Sequence, residues 1–185
     1  MTETNKGEVR SASRYLGNYC VTNGNTSKIV EMRIKAAKEA YYSMGKLWFM
    51  KIDWRTKIMI FKGMVQSALL SGMTCELPTK AELTKMETCQ MTLLRKMAGQ
   101  EGILLKNEIN MQISNEELRE KAKISTVQSE LSYRRLCWIQ DILTNPEENR
   151  QLKAATGGTI RTRAGEVKTI YEPWFQRIQK DLLHF

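Results

Sequence analysis

A single histidine, His184, stands next to the last residue of the chain. With one imidazole at the chain's edge, neither a Ser-His-Asp nor a Cys-His device can be assembled inside a core. Three prolines and 11 glycines exclude collagen-like, linker-dominated and many-turned sandwich designs. The four cysteines, Cys20, Cys75, Cys89 and Cys137, form no CxxC pair, which removes zinc-finger and thioredoxin-like readings and a dense disulfide framework. Free, mostly buried thiols in a reducing compartment are the expectation. The only aspartates are Asp53, Asp141 and Asp181, none adjacent to another. Nucleotidyl transfer needs at least two carboxylates converging on divalent metals, so no catalytic residue, metal site or cofactor is expected. No run approaches the ~18 apolar residues of a membrane span, and the polar start, Met1–Arg14, lacks a signal peptide's apolar stretch. An intracellular protein, nuclear or cytoplasmic and with no membrane partner, is expected.

What the sequence has is a globular composition, with 42% apolar and 26% charged residues. Its 185 residues suit one domain, or two small ones sharing a core. The pattern predicts a mainly α fold: a short N-terminal β-strand or hairpin, a helical bundle, then further C-terminal helices. After a disordered lead-in, 1–12, Ser13–Val21 reads as one strand, and Asn23-Gly24 within Thr22–Asn25 is a tight-turn signal. Thr26 or Asn25 then caps a helix to about Met50, with Ile29, Ala36, Ala40, Met44 and Leu47 on one face and lysines on the opposite one. Asp53 caps a second helix. Its stripe is Trp54, Ile58, Phe61, Val65, Ala68 and Leu69, and its other sides hold Met59, Ile60 and Leu70, which predicts a central, largely buried helix. Gly72–Pro78 breaks the run. Three capping boxes follow: Thr79–Glu82, opening a helix to about Met97, then Ser114–Glu117 and Ser125–Gln128. In the last of these helices Val127, Leu131, Trp138 and Ile142 share a face. Asn145-Pro146 predicts a further short helix, and Ile170–Leu183 a final one.

The net charge is +9, from 29 Lys+Arg and 20 Asp+Glu. Residues 26–75 hold 9 basic and 3 acidic side chains, and residues 150–170 hold 5 and 1, so the remainder of the chain is close to neutral. A positive balance of this kind suits an acidic partner, nucleic acid or an anionic surface. On the first helix, Lys28, Lys35, Lys38 and Lys46 form a stripe with only Glu31 and Glu39 nearby. Such a stripe is either a solvated helix face or a face that follows a phosphate backbone without reading its sequence. Arg33 projects beside the apolar stripe, as a snorkelling or paired arginine or as one held for phosphate. Arg161 and Arg163, in the basic loop of residues 157–169, fit a nucleic-acid arm or a soluble linker equally. Tyr41-Tyr42, Trp48-Phe49 and Trp174-Phe175 are either core or a base-stacking platform.

Several short motifs occur in a particular order. Arg14-Tyr15-Leu16-Gly17 precedes Thr22-Asn23-Gly24, then Arg33-Ile34-Lys35-Ala36-Ala37, Leu47-Trp48 and Lys57. Ala68-Leu69-Leu70-Ser71-Gly72, Leu93-Leu94-Arg95-Lys96 and Arg134-Arg135-Leu136-Cys137-Trp138 follow. This order resembles the reverse transcriptases of non-LTR (LINE-type) retrotransposons over roughly residues 13–145. The resemblance implies a C-terminal fragment: the end of the palm with its hairpin at 13–25, a helical thumb-like bundle at 26–99, and a connecting region at 100–156. A terminal helix, 170–185, would follow. It also implies an RNA/DNA hybrid or duplex backbone as partner, held by Arg14, Lys28, Arg33, Lys35, Lys38, Lys46, Arg161 and Arg163. The missing palm and fingers are a further expected partner. The family's YxDD aspartates lie before the matched region, so the expectation is binding without catalysis. A helical protein-interaction scaffold, with a merely solubilising basic face, is the alternative.

Overall fold

The computed structural model describes residues 12–15, 18–21, 26–100, 113–144, 159–161, 167–169 and 173–183. From residue 26 to 144 every described element is a helix: α1 (Ser27–Ser43), α2 (Gly45–Phe49), α3 (Trp54–Ile60, continuing through Phe61–Gln66 and Ser67–Leu70), α4 (Lys80–Gln100), α5 (Asn115–Ala122) and α6 (Val127–Thr144). A last helix, α7, spans Pro173–Leu182. The predicted mainly helical class holds.

The N-terminal segment departs from the single strand expected over 13–21. Ala12–Tyr15 (β1) and Asn18–Val21 (β2) are four-residue strands paired antiparallel with each other, Tyr15 opposite Asn18. The turn expected at Thr22–Asn25 lies outside the described residues. The segment expected as a basic loop, 157–169, likewise contains two short antiparallel strands, Thr159–Arg161 (β3) and Val167–Thr169 (β4). The helix expected at Asn145-Pro146 lies outside the described residues.

Local capping signals place the helix starts. Asp53 accepts hydrogen bonds from the backbone N–H groups of Arg55 and Thr56, satisfying two of the donors that the first turn of α3 leaves open. Ser114 and Glu117 form a reciprocal capping box at α5. At α4 the Thr79 N–H donates to Glu82 (2.7 Å) while the Glu82 N–H donates to the Thr79 hydroxyl (3.3 Å). The third expected box is shifted by one residue: Thr126, not Ser125, accepts from the Ser129 N–H at 3.1 Å.

Two helices deviate from straight-helix reasoning. The helix expected to run to Met50 is interrupted at Met44, before Gly45, leaving α2 as a separate short helix. Its predecessor buries Ile29, Val30, Ala37 and Tyr41, whereas Ala36 and Ala40 are half-buried, so the packed face is rotated from the expected one toward Tyr41. In α3, residues 61–66 form a π-helical segment. Its buried residues are Lys57, Ile58, Phe61, Val65, Gln66, Leu69 and Leu70. At 100° per residue these spread over about 220°, but the wider π turn draws them into an arc of about 130°. Leu70 thereby returns to the packed face, and Met59, expected inside, is 71% exposed.

The core is one cluster. Phe61, Leu69 and Leu70 of α3, Met86, Leu94 and Met97 of α4, and Leu118, Val127 and Leu131 of α5 and α6 belong to it together. The hydrophobic interior therefore includes residues on both sides of residue 99. α6 also buries Ser132 and Arg135, whose side chains meet Asp181 of α7 at 2.7 and 2.6 Å.

Candidate nucleic-acid interface

α1 and α4 lie side by side and run in the same direction. At one end Glu82, at the start of α4, accepts hydrogen bonds from Thr26 Oγ1 (2.7 Å) and Ser27 Oγ (2.6 Å) at the start of α1. At the other end Lys96 Nζ donates to the Tyr42 hydroxyl (2.6 Å). Burial alone would raise the Glu82 carboxyl, but the hydrogen bonds from Ser27, Thr79 and Thr26 together outweigh it and hold it at about 2. A charged, fully partnered carboxylate thus fixes the register of the two helices.

The four stripe lysines, Lys28, Lys35, Lys38 and Lys46, are all exposed. Lys28 and Lys35 project nearly opposite the buried positions of α1, and Lys35 makes a 3.8 Å ion pair with Glu39 that is itself open to solvent. Lys46 stands on α2 beyond the break. A 3.8 Å exposed pair contributes little, so the Lys35 ammonium remains open to an anion in water. Arg33 is not part of this face. It lies about 200° around α1 from Lys35, half-buried, and burial lowers its guanidinium below the ordinary value. Arg14 is in β1, its backbone opposite Tyr19, and Arg161 ends β3 opposite Val167; neither side chain, nor Arg163, is among the described ones. Of the eight expected contact residues, α1 and α2 therefore gather four lysines on exposed positions.

Sequence reasoning missed two lysines of α4. Lys85 and Lys96 line, together with Lys38, an open groove of about 500 Å³ between α1 and α4. Ile34, Cys89 and Leu93 form its inner surface, and among the described residues none of its lining is acidic. The missed signal was the spacing of Lys85, Thr88, Thr92 and Lys96 along one side of α4, which becomes meaningful only beside α1.

The aromatic pairs separate. Tyr41 and Trp48 are buried and stacked, with centroids 5.1 Å apart, and the indole N–H donates to the Tyr41 carbonyl at 2.8 Å. Tyr42 and Phe49, 57% and 74% exposed, remain outside. The Lys96 ammonium sits beside the Tyr42 hydroxyl, 5.1 Å from the ring centroid, and the Tyr41 and Tyr42 rings stand nearly perpendicular with centroids 5.4 Å apart. The Trp174-Phe175 side chains are outside the described set. Of the cysteines, Cys89 is buried, Cys137 half-buried and Cys75 exposed, all as free thiols.

The residues that carry the retrotransposon resemblance are mostly packing residues. Trp48, Leu69, Leu70, Leu93 and Leu94 are core. Lys57, 1% exposed, donates to the Trp48 carbonyl at 2.8 Å. Gly72 holds φ 71°, a left-handed conformation suited to glycine, just past the end of α3. Arg95 donates to the Ile113 carbonyl and Asn115 Oδ1, both at 2.9 Å, and Arg135 is buried against Asp181.

No protein-family model, curated protein or solved structure matches the chain. Among the described residues no helix is long and apolar enough to cross a membrane, and no group of three or more His, Cys, Asp or Glu side chains could hold a metal ion.

Proposed function

We propose that the chain is a nucleic-acid-binding helical module that holds the sugar–phosphate backbone of a hybrid or duplex through α1 and α2, without catalysis. The observation that supports this most directly is the joint exposure of Lys28, Lys35, Lys38 and Lys46 on helices whose other sides are packed. Ammonium groups on flexible stems are point charges that suit phosphates and read no sequence. The motif resemblance favours the same reading and would make the bundle a thumb-like part of a reverse transcriptase, acting beside palm and fingers. With about four phosphates neutralised, log affinity for a duplex should fall with log salt at a slope of about −3.6.

Titration of a fluorescent RNA/DNA hybrid from 50 to 200 mM salt tests this. A Lys35→Glu/Lys46→Glu variant should bind roughly thirtyfold more weakly and with a shallower slope. Binding that is absent at low salt, or unmoved by salt and by the variant, refutes the proposal.

A second reading, a protein-interaction scaffold, is favoured by one observation. Phe49, Met50, Met59 and Met64 are large apolar side chains left exposed at the end of α2, just after it and on α3, where solvated surfaces usually carry polar groups.

A further inference from the structure

The groove between α1 and α4 does not have the chemistry of a phosphate track. Its inner surface is Ile34, Cys89 and Leu93, with Cys89 and Leu93 buried beneath it. The α4 wall carries Thr84, Thr88 and Thr92, whose hydroxyls donate to the carbonyls of Lys80, Thr84 and Thr88 at 2.9, 2.8 and 2.7 Å. With those protons committed to the backbone, the wall presents methyl groups and oxygen lone pairs. A phosphodiester, which only accepts hydrogen bonds, would gain nothing from it. The cations lie at the margins, Lys38 on the α1 side and Lys85 and Lys96 on the α4 side.

An apolar trough with cationic edges and, among the described residues, no acidic lining complements a different ligand. We propose that this groove docks an acidic amphipathic α-helix of a partner protein, with apolar residues at i, i+3/i+4 and i+7 in the trough and glutamates or aspartates facing Lys38, Lys85 and Lys96. Lys85 and Lys96 are eleven residues apart on one helix, about 16 Å along its axis. A partner lying along the seam therefore needs about three turns to place a carboxylate at each. This is the helix-in-groove mode of recognition, in which the apolar face supplies affinity and the flanking charges set partner and direction. The groove shares Lys38 with the backbone-binding face; Lys85 and Lys96 belong to the groove alone, and Lys28, Lys35 and Lys46 to that face alone.

The test uses the full chain and three fluorescent probes. One is an 18-residue helical peptide with leucines on one face flanked by glutamates, one a scrambled peptide of the same composition, and one a 20-nucleotide oligo(dT). The variants are Thr88→Trp, which fills the trough from an exposed wall position, and the Lys38→Glu/Lys96→Glu pair, which reverses both margins. Circular dichroism and melting establish that each is folded; the charge-reversed pair, exposed at both positions, keeps the test informative should Thr88→Trp fail to fold. Expected are at least tenfold tighter binding of the ordered peptide than of the scrambled one, and at least tenfold weakening in each variant. Oligo(dT) binding should be unchanged by Thr88→Trp. No binding of the ordered peptide, equal binding of both peptides, or peptide binding indifferent to the folded variants overturns the proposal. So does a loss of oligo(dT) binding in Thr88→Trp, which assigns the groove to nucleic acid.

Discussion

Replacing Glu82 with glutamine tests how α1 and α4 are held together. The carboxylate is 4% exposed and accepts from Thr26 Oγ1, Ser27 Oγ, and the N–H and hydroxyl of Thr79 at 2.6–2.9 Å. An amide oxygen can keep the contacts of one carboxylate oxygen, and an amide N–H₂ can donate to Ser27, so Glu82→Gln preserves shape while removing charge. The magnitude follows from linkage. The carboxyl titrates at about 2 in the folded chain, against 4.5 ordinarily, a difference equivalent to about 3 kcal/mol. The folded value is depressed, so this stability is fully present above the ordinary value and disappears as pH falls from about 4.5 to about 2. Urea unfolding of both proteins from pH 7 to pH 2 reads it out. Wild type should exceed the variant by up to about 3 kcal/mol at pH 7, and the gap should close between pH 4.5 and 2. Because other carboxylates titrate in the same range, the difference between the two proteins is the informative quantity. Parallel pH profiles would refute the reasoning.

Three further outcomes are expected. The Tyr41 hydroxyl is buried with no hydrogen-bond partner among the described residues, so Tyr41→Phe should raise stability by about 1 kcal/mol, measured by melting. Burial also pushes that phenol up to about 12, so a spectrophotometric titration should lose one late-ionising tyrosine in the same variant. A Cβ at Gly63 meets nothing within 4 Å; Gly63→Ala should therefore stabilise α3 by up to about 1 kcal/mol, visible as a rise in Tm. Asp181→Ala leaves Arg135, 1% exposed, as a buried cation without this carboxylate. It should cost about 3–5 kcal/mol, with amide exchange accelerating first in α7.

The parts of the fold that local chemistry decides were readable. Asp53, Thr79–Glu82 and Ser114–Glu117 each act within a single turn, and each caps the helix that its spacing predicts. What depends on distant packing was not readable. The face of α1 turns toward Tyr41 because Trp48 stacks there. The π turn regathers Gln66, Leu69 and Leu70, which no 100° wheel anticipates. At the site, the stripe lysines were recognisable because one helix carries them. The groove was not, because Lys38 and Lys85 belong to helices far apart in sequence that only tertiary packing brings side by side. Lys57 illustrates the converse: a lysine in a helical pattern reads as surface, and only tertiary structure supplies the Trp48 carbonyl that lets it be buried.

The parallel course of α1 and α4 also bears on how the chain assembles. Two helices pointing the same way cannot be joined by a tight loop, so α2 and α3 must first bring the backbone to the starting end. Glu82 and Thr26 are 56 residues apart, and closing a loop of that length costs about 3–4 kcal/mol of chain entropy. That is close to what the Glu82 carboxylate contributes above pH 4.5. The contact should accordingly form late, after α3 has folded, and acid should act on it by reopening this loop while the local helices on either side persist.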